Sequence, residues 1–276
     1  MTLIDGYLTG KRNRHTEGAG AGAGAGAAGS GQGSEAAFSA LFDPTTFRHV
    51  ERLGIGPGWR CWEVGAGGFS VVSWLAKRVG PTGRVLATDT DISWQTSAAR
   101  SPVEVRTHDV GAEGPPGGGF DLVHARLVLA RVPDQEVALR SMIRALRPGG
   151  RLLVEEVDPA LQPLSCPDEH GPAQQLANRL RGALLAERGA DVPYGRGLPR
   201  LLRAAGLRQV EADAYFPLSS PACVALETAT IQQSRRALTA AGLATDEDIA
   251  DHLANIATEP MDLATSPLIS AWGRKP

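Results

Sequence analysis

A glycine-rich turn between a short strand pattern and a helical pattern limits what this chain can fold into. Residues 65–68 read Gly-Ala-Gly-Gly and follow the largely apolar segment 60–64. Apolar residues then recur at helical spacing from Val71 to Val79. A strand that passes through glycines into a helix is typical of the first unit of an open α/β sheet, where ligands bind beyond the carboxyl ends of the strands. The turn is therefore predicted to hold a nucleotide-like cofactor.

Strand and helix patterns alternate along the rest of the chain. Helices are predicted at 71–79, 135–146 and 198–205, each between two strand patterns. The predicted strands are 60–64, 85–88, 103–107, 121–125, 151–157, 210–216 and 268–272. This alternation is typical of an α/β fold in which helices cover both faces of a parallel sheet.

The first 34 residues differ in composition from the rest. Residues 1–17 are predicted to be an N-terminal arm. Residues 18–34 are predicted to be a flexible linker, because a Gly/Ala-rich tract has few side chains to bury. The folded domain is expected to cover 35–276, and Asp43-Pro44 is predicted to begin its first helix, with aspartate as N-cap and proline in the first turn.

Helical segments interrupt the alternation in the second half of the chain. They are predicted near 171–188, 222–241 and 246–257. They lie within two insertions, at 159–192 and 219–262, that come after strand ends. Long insertions at such positions usually carry function, so these are expected to form a helical cap that builds the substrate pocket.

Three acidic residues at successive predicted strand ends indicate the kind of cofactor. Glu63 lies two residues before the first glycine, where a carboxylate would repel a pyrophosphate but would suit the α-ammonium group of a methionine moiety. Asp89, after the second strand, is placed to accept hydrogen bonds from ribose hydroxyls. Asp109, after the third strand, is placed to accept one from an adenine amino group, with the backbone of Val110 beside it. These positions predict S-adenosylmethionine.

Other nucleotides fit the turn less well. The dinucleotide pattern needs glycine at its sixth position, where this chain has Ser70, and no Gly-Lys-Ser/Thr of a P-loop follows the turn. A nicotinamide oxidoreductase is therefore the weakest of the alternatives.

Five segments resemble the class I S-adenosylmethionine-dependent methyltransferases, especially the small-molecule methyltransferases of high-GC actinobacteria. They read CWEVGAGGFS, VLATDTD, THDV, FDLVHARLVL and LRPGGRLLVEE, within residues 36–157. The resemblance implies a seven-stranded Rossmann-like sheet with an antiparallel last strand. It also implies methyl transfer to a small organic molecule of natural-product metabolism, with S-adenosylhomocysteine as product. The cofactor-binding residues it implies are Glu63, Gly65, Ala66, Gly67, Asp89, Thr90, Asp109, Val110, Ala125 and Arg126.

Two positions depart from the family pattern and leave alternatives open. Phe69 stands where the family has its third glycine, and Arg131 stands where it often has histidine. The first places a large side chain beside the turn, and the second removes a residue that often shapes the active site. One alternative is a methyltransferase-fold enzyme that binds the cofactor but catalyses a non-methylating reaction such as a cyclisation. Another is a non-catalytic partner subunit.

A base would assist methyl transfer to a hydroxyl or an acidic carbon. His124, in the fourth predicted strand, and His170, at the start of the first insertion helix, are the candidate catalytic bases. No metal is predicted, because the three cysteines lie far apart and form no CxxC pair.

Charge and hydropathy argue against several partners. The formal net charge is −2, so no large field attracts nucleic acid or an anionic membrane. No apolar run is long enough to span a bilayer, and the N-terminus lacks the apolar stretch of a signal peptide. We expect a cytoplasmic enzyme with a small-molecule substrate, and a homo-oligomer is compatible with the sequence.

Overall fold

A seven-stranded sheet organises the protein. The computed structural model describes residues 27–93, 101–161, 171–188, 195–258 and 262–276. The strands are β1 (Arg60–Val64), β2 (Arg84–Asp89), β3 (Val103–Thr107), β4 (Phe120–Arg126), β5 (Leu146–Val157), β6 (Arg208–Tyr215) and β7 (Leu268–Arg274). The helices are α1 (Ala27–Arg52), α2 (Ser70–Val79), α3 (Gln135–Ala145), α4 (Pro172–Arg188), α5 (Leu198–Ala204), α6 (Pro221–Ala240) and α7 (Asp246–Thr258).

The strand order confirms the predicted fold class. The order is β3-β2-β1-β4-β5-β7-β6, with β1 in the middle of the sheet. β1 pairs in parallel with β2 and β4, and the pairs β2–β3 and β4–β5 are also parallel. β7 runs antiparallel to both β5 and β6. The carboxyl ends of β1 to β5 therefore lie along one edge, with the order reversing beside β1.

The chain divides into two compact units. One consists of 42–157, 193–215 and 268–276 and contains the whole sheet. The other consists of 1–41, 158–192 and 216–267 and contains α4, α6 and α7. The two insertions predicted from the sequence fall inside the second set of ranges. None of the helices in the described parts of the chain is long and apolar enough to cross a membrane.

Alternating side chains of the central strands fill two apolar layers. Trp62 and Val123 belong to the layer on which α3 and α5 pack. Cys61 and Leu122, their neighbours in sequence, belong to the other layer, with α2 and the end of α1. Because successive strand residues point to opposite faces, Glu63 and His124 share the face of Cys61 and Leu122.

Helix α1 does not begin where the sequence predicted. It begins at Ala27, includes residues 27–34 of the predicted linker, and continues through Pro44. Residues 18–26 and the arm at 1–17 lie outside the described residues. Phe38, Leu41 and Phe42 are buried, so the helical apolar pattern starts before Asp43. Asp43 is therefore an interior residue of α1 and not its N-cap.

A second difference concerns the start of β5. The sequence pattern predicted this strand over 151–157, but β5 already begins at Leu146 and pairs there with Phe120. The register shifts between Phe120 and Leu122, and this irregularity accommodates the Pro-Gly-Gly sequence inside the strand. Helix α3 begins as predicted, because the side chain of Asp134 accepts hydrogen bonds from the N–H groups of Glu136 and Val137.

Three helices of the second unit share a small core. Leu180 of α4, Ile231 of α6 and Ile249 of α7 belong to one apolar cluster. Arg181 lies next to this core and donates hydrogen bonds from Nη2 to Glu227 Oε2 at 3.1 Å and to the carbonyl of Ala264 at 3.0 Å. His252 Nε2 lies 3.2 Å from Glu227 Oε1, so a buried charge cluster ties α4, α6 and α7 together.

Candidate functional site

The turn after β1 depends on glycine at two positions. Gly65 and Gly67 have φ values of 61° and 59°, a left-handed conformation that side chains disfavour. A Cβ atom at Gly65 would lie 2.6 Å from Cγ2 of Val128, which follows β4. The absence of a side chain therefore lets the turn pass close to the end of the neighbouring strand.

Asp89 joins this turn to the end of β2. Its Oδ2 accepts a hydrogen bond from the N–H of Gly67 at 2.9 Å, and its Oδ1 accepts one from the N–H of Asp91 at 3.1 Å. The hydroxyl of Thr90 lies 3.4 Å from the same Oδ1. Three of the residues predicted to bind cofactor, Gly67, Asp89 and Thr90, are thus brought together at adjacent strand ends.

Asp109 and Val110 follow β3 on the same edge of the sheet. The backbone N–H of His108 donates to the carbonyl of Asp89 at 3.0 Å, which places the end of β3 beside the end of β2. Asp109 Oδ1 accepts from the N–H of Gly111 at 2.8 Å, so the carboxylate shapes its own turn. Val110 is buried in the core.

Glu63 is paired with His124. The two residues are register partners on β1 and β4, and Glu63 Oε2 lies 2.7 Å from His124 Nδ1. The other ring nitrogen, Nε2, lies 3.2 Å from Oε2 of Glu155 on β5. All three side chains are buried. The structure therefore places one imidazole between two carboxylates beneath the cofactor turn.

Glu155 is held by residues from three elements. It accepts hydrogen bonds from the hydroxyl of Thr46 on α1 at 2.5 Å and from that of Ser270 on β7 at 2.6 Å. Nδ1 of His49 on α1 lies 3.6 Å from Glu155 Oε1, and Nε2 of the same ring lies 3.0 Å from Oδ2 of Asp213 on β6. We call Glu63, His124, Glu155, Thr46, Ser270 and His49 the buried polar layer. Asp213, whose side chain is 39% exposed, lies at its border.

The charges in this layer are set by pairing. Burial by itself would lower the pKa of His124, but the charges and hydrogen bonds of Glu63 and Glu155 outweigh it and raise that pKa to about 9. Burial would raise the pKa of Glu155, but hydrogen bonds from His124 and His49 hold it well below its ordinary range. At neutral pH His124 is therefore an imidazolium, without a nitrogen free to accept a proton. This environment does not suit the base that the sequence predicted.

Ala125 and Arg126 complete the end of β4. Ala125 is fully buried in the core. Arg126 donates to Thr46 Oγ1 at 3.1 Å and pairs with Asp43 at 2.8 Å between Nη2 and Oδ1. The guanidinium is thus fixed between β4 and α1, on the border of the buried polar layer.

The segment after β4 has an unusual backbone that two charged residues hold. Leu127 has a φ of 58°, which is rare for a residue with a branched side chain. Its carbonyl accepts from Arg131 Nε at 2.7 Å. Glu156 Oε1 accepts from the N–H groups of Leu129 at 2.7 Å and Ala130 at 3.3 Å. Burial raises the pKa of Glu156 to about 7.

The two departures from the family pattern both have structural partners. Phe69 packs with the apolar layer that α2 and the end of α1 share. Arg131 holds the carbonyl of Leu127, as described above. Phe69 therefore belongs to the packing of α2, and Arg131 belongs to the loop after β4.

Several residues of the site were missed because their signals are not local. Glu155 and Glu156 directly follow the apolar run 152–154 of β5, and two carboxylates at that point of a buried strand are the signal that could have been used. Thr46 and His49 are three positions apart on α1 and share a face. His170 lies outside the described residues. Within the described ranges, no group of three or more His, Cys, Asp or Glu residues could hold a metal ion.

The fold and the turn define a class I methyltransferase-type α/β protein. A family model described as "Methyltransferase domain" matches residues 42–212. The ubiquinone/menaquinone biosynthesis C-methyltransferase UbiE of Vibrio cholerae is 36% identical over 125 residues, which cover 42% of this chain and 48% of that protein. The chain thus spans about half the length of the UbiE relatives it matches.

Two further comparisons cover most of the chain. The Nocamycin O-methyltransferase of Saccharothrix syringae is 31% identical over 266 residues, or 84% of this chain and 93% of that protein. A solved structure from Anabaena variabilis, assigned as a methyltransferase of an antibiotic biosynthesis pathway, covers 84% of this chain and 97% of its own, with a TM-score of 0.58 and 16% identity. This last likeness concerns the fold alone. The chain belongs to the S-adenosylmethionine-dependent methyltransferase family.

Proposed function

We propose that this protein transfers a methyl group from S-adenosylmethionine to a small organic acceptor in natural-product metabolism. The observation that carries the proposal is the hydrogen bond between Asp89 and the N–H of Gly67, which builds the turn and the end of β2 into one acidic, glycine-lined rim. Family membership supplies the cofactor class. The name of the Nocamycin relative supports an oxygen acceptor on a natural product.

The described residues fit this cofactor. Gly65 and Gly67 carry no Cβ and adopt positive φ values, so the backbone of the turn can approach a ligand closely. Asp89 keeps acceptor sites for ribose hydroxyls, since a carboxylate has about four lone-pair sites. Glu63 Oε1 makes no hydrogen bond with the described residues and is an acceptor for an ammonium group.

The bound cofactor supplies a sulfonium-activated methyl group. The chain's contribution is to hold cofactor and acceptor in position and to exclude water. His124 is not the base in this proposal, because it is a buried imidazolium. His170 remains a candidate base, and a His170→Ala variant with unchanged turnover would remove it. The small net charge supports a small-molecule acceptor in the cytoplasm rather than a nucleic acid.

Calorimetry with S-adenosylhomocysteine tests the cofactor site. We expect wild-type protein to bind it and Asp89→Ala to weaken binding about 10- to 100-fold, because hydrogen bonds to a charged acceptor are lost. The matched control is Asp121→Ala at the amino end of β4, where the carboxylate pairs with Arg147 at the opposite edge of the sheet. That variant should bind within about twofold of wild type. Equal losses in both variants, or no binding by wild type, would contradict the proposal.

A mass measurement separates methyl transfer from the alternative chemistry. A product heavier than the acceptor by one methylene, with S-adenosylhomocysteine formed in equal amount, supports methyl transfer. A product of unchanged mass, formed with the cofactor intact, supports a cyclisation. Binding without any turnover over a panel of hydroxylated acceptors would favour a partner subunit.

A further inference from the structure

The arrangement around His124 requires both ring nitrogens to carry protons. Nδ1 faces Glu63 Oε2 at 2.7 Å, and Nε2 faces Glu155 Oε2 at 3.2 Å. An ionised carboxylate only accepts hydrogen bonds, and a neutral imidazole has a single N–H to donate. The ring therefore bridges two strands on either side of β4 as a doubly donating cation.

The Glu155 side of this bridge is anchored more firmly than the Glu63 side. Hydroxyls of Thr46 and Ser270 also donate to Glu155, at 2.5 and 2.6 Å. Glu63, in contrast, has His124 as the only hydrogen-bond partner of its carboxylate among the described residues. The orientation of the Glu63 carboxylate thus depends on His124, which depends on Glu155.

The charges in the layer leave one negative charge uncompensated. Glu63 and Glu155 contribute two negative charges and His124 one positive charge. The neighbouring pairs, His49 with Asp213 and Arg126 with Asp43, add no net charge when both members are ionised. A cationic ligand group at Glu63 would neutralise the remainder, which is a large gain in a buried site.

We infer that His124 is a positioning residue, which fixes the Glu63 carboxylate for the α-ammonium group of S-adenosylmethionine. The inference rests on the proposed function. It assigns His124 a role in cofactor binding that acts through Glu63 and does not touch the reacting methyl group. Loss of the His124 side chain should therefore weaken the binding only of ligands that carry the amino-acid portion of the cofactor.

The experiment uses two ligands and two substitutions of the same histidine. S-adenosylhomocysteine carries the ammonium group, and 5′-methylthioadenosine lacks the amino-acid portion. In His124→Asn the side-chain amide replaces Nδ1 and keeps a donor toward Glu63. In His124→Gln it replaces Nε2 and keeps a donor toward Glu155 only. We expect His124→Gln to weaken the binding of S-adenosylhomocysteine about 10-fold or more, and His124→Asn to weaken it less. The affinity of both variants for 5′-methylthioadenosine should stay within about twofold of the wild-type affinity.

A double-variant cycle shows whether His124 acts through Glu63. Glu63→Gln should weaken the binding of S-adenosylhomocysteine to a similar extent. The double variant with His124→Gln should lose little further affinity. Equal weakening of both ligands by His124→Gln, or independent effects of the two substitutions, would overturn the inference. If His124→Gln does not fold, the Asn variant decides: it should keep its preference for S-adenosylhomocysteine over 5′-methylthioadenosine. Failure of wild type to bind either ligand would instead contradict the proposed function.

Discussion

Gly65 shows how a single residue without a side chain allows the tight turn after β1, which we propose binds the cofactor. Its φ of 61° is unfavourable for residues that carry a side chain, and a Cβ atom added at this position would clash with Val128. We expect Gly65→Ala to lower the free energy of unfolding by about 1–3 kcal/mol and to weaken S-adenosylhomocysteine binding. Val128→Ala in the same chain should restore part of the loss, because it removes the methyl group that the new Cβ meets. Denaturant unfolding of the single and double variants measures both effects.

A second glycine provides the control for Gly65. Gly182 lies inside α4, and a Cβ there would meet no atom within 4 Å. Gly182→Ala should raise the free energy of unfolding by about 0.5–1 kcal/mol, because glycine is a poor helix former. If both substitutions changed stability in the same direction, the strain and clash argued for Gly65 would not be the cause.

At the level of elements, the buried pair Arg181–Glu227 connects α4 to α6 within the helical unit. Both side chains are buried, and Arg181 together with His252 outweighs the effect of burial and lowers the pKa of Glu227 to about 2. Glu227→Ala removes the buried carboxylate that Arg181 and His252 contact, and we expect a cost of about 3–5 kcal/mol in unfolding free energy. Chemical denaturation followed by helical circular dichroism measures it.

An exposed ion pair between two of the same three helices, α4 and α7, is the comparison. Arg179 of α4 pairs with Asp248 of α7 at 2.9 Å, but its side chain is 63% exposed. Arg179→Ala should change the unfolding free energy by less than about 1 kcal/mol, because solvent screens the pair. A cost for Glu227→Ala no larger than this would show that the buried cluster does not hold the three helices together.

Local sequence signals predicted the elements of the sheet but not the beginning of α1. All seven strands were found within a few residues, because short apolar segments bounded by glycine, proline or charge are local patterns. The predicted start of α1 was wrong because Asp43-Pro44 carries a strong capping signal. The helix begins earlier in the chain, where Phe38 and Leu41 are buried. Tertiary packing overrides such signals, and it also stabilises a helix that contains a proline.

For the molecule as a whole, the strand-end residues that we propose bind the cofactor were easier to predict from the sequence than the buried polar layer. Glu63, Asp89 and the glycines are recognisable because each lies next to a strand end. The bonds from Thr46, His124 and Ser270 to Glu155 join residues more than 30 positions apart, which no periodicity connects. The sequence therefore identified His124 as a candidate residue, but only the fold shows the two carboxylates beside it.

This layer makes global stability depend on pH. The pKa of His124 is raised to about 9 in the folded protein, so the native state holds this proton more tightly than the unfolded chain. The stability it contributes is fully present below about pH 6.5 and is lost as pH rises through about 9. The groups that face the ring or its partners are Glu63 on β1, Glu155 on β5, Arg126 on β4, His49 on α1 and Asp213 on β6.

Glu156 adds a second loss of stability at lower pH. It is a buried acid whose folded pKa is about 7, compared with an ordinary value of 4.5. Its protonated form is favoured in the native state, so its contribution is present below about pH 4.5 and is lost as pH rises through about 7. The positive charge of Arg131 lowers the pKa of Glu156, but by less than burial raises it.

The two groups can be separated by the pH windows in which their variants differ from wild type. We expect the unfolding free energy of wild type to fall between about pH 4.5 and 9, by roughly 3 kcal/mol for each group. Glu156→Gln should remove the fall between about pH 4.5 and 7 and leave the upper part. His124→Asn should remove the fall between about pH 6.5 and 9 and leave the lower part. Urea unfolding at half-unit pH intervals measures the three curves. Parallel curves for wild type and His124→Asn above pH 7.5 would mean that His124 is not an imidazolium in the native state, and the inference that it positions Glu63 would then lose its physical basis.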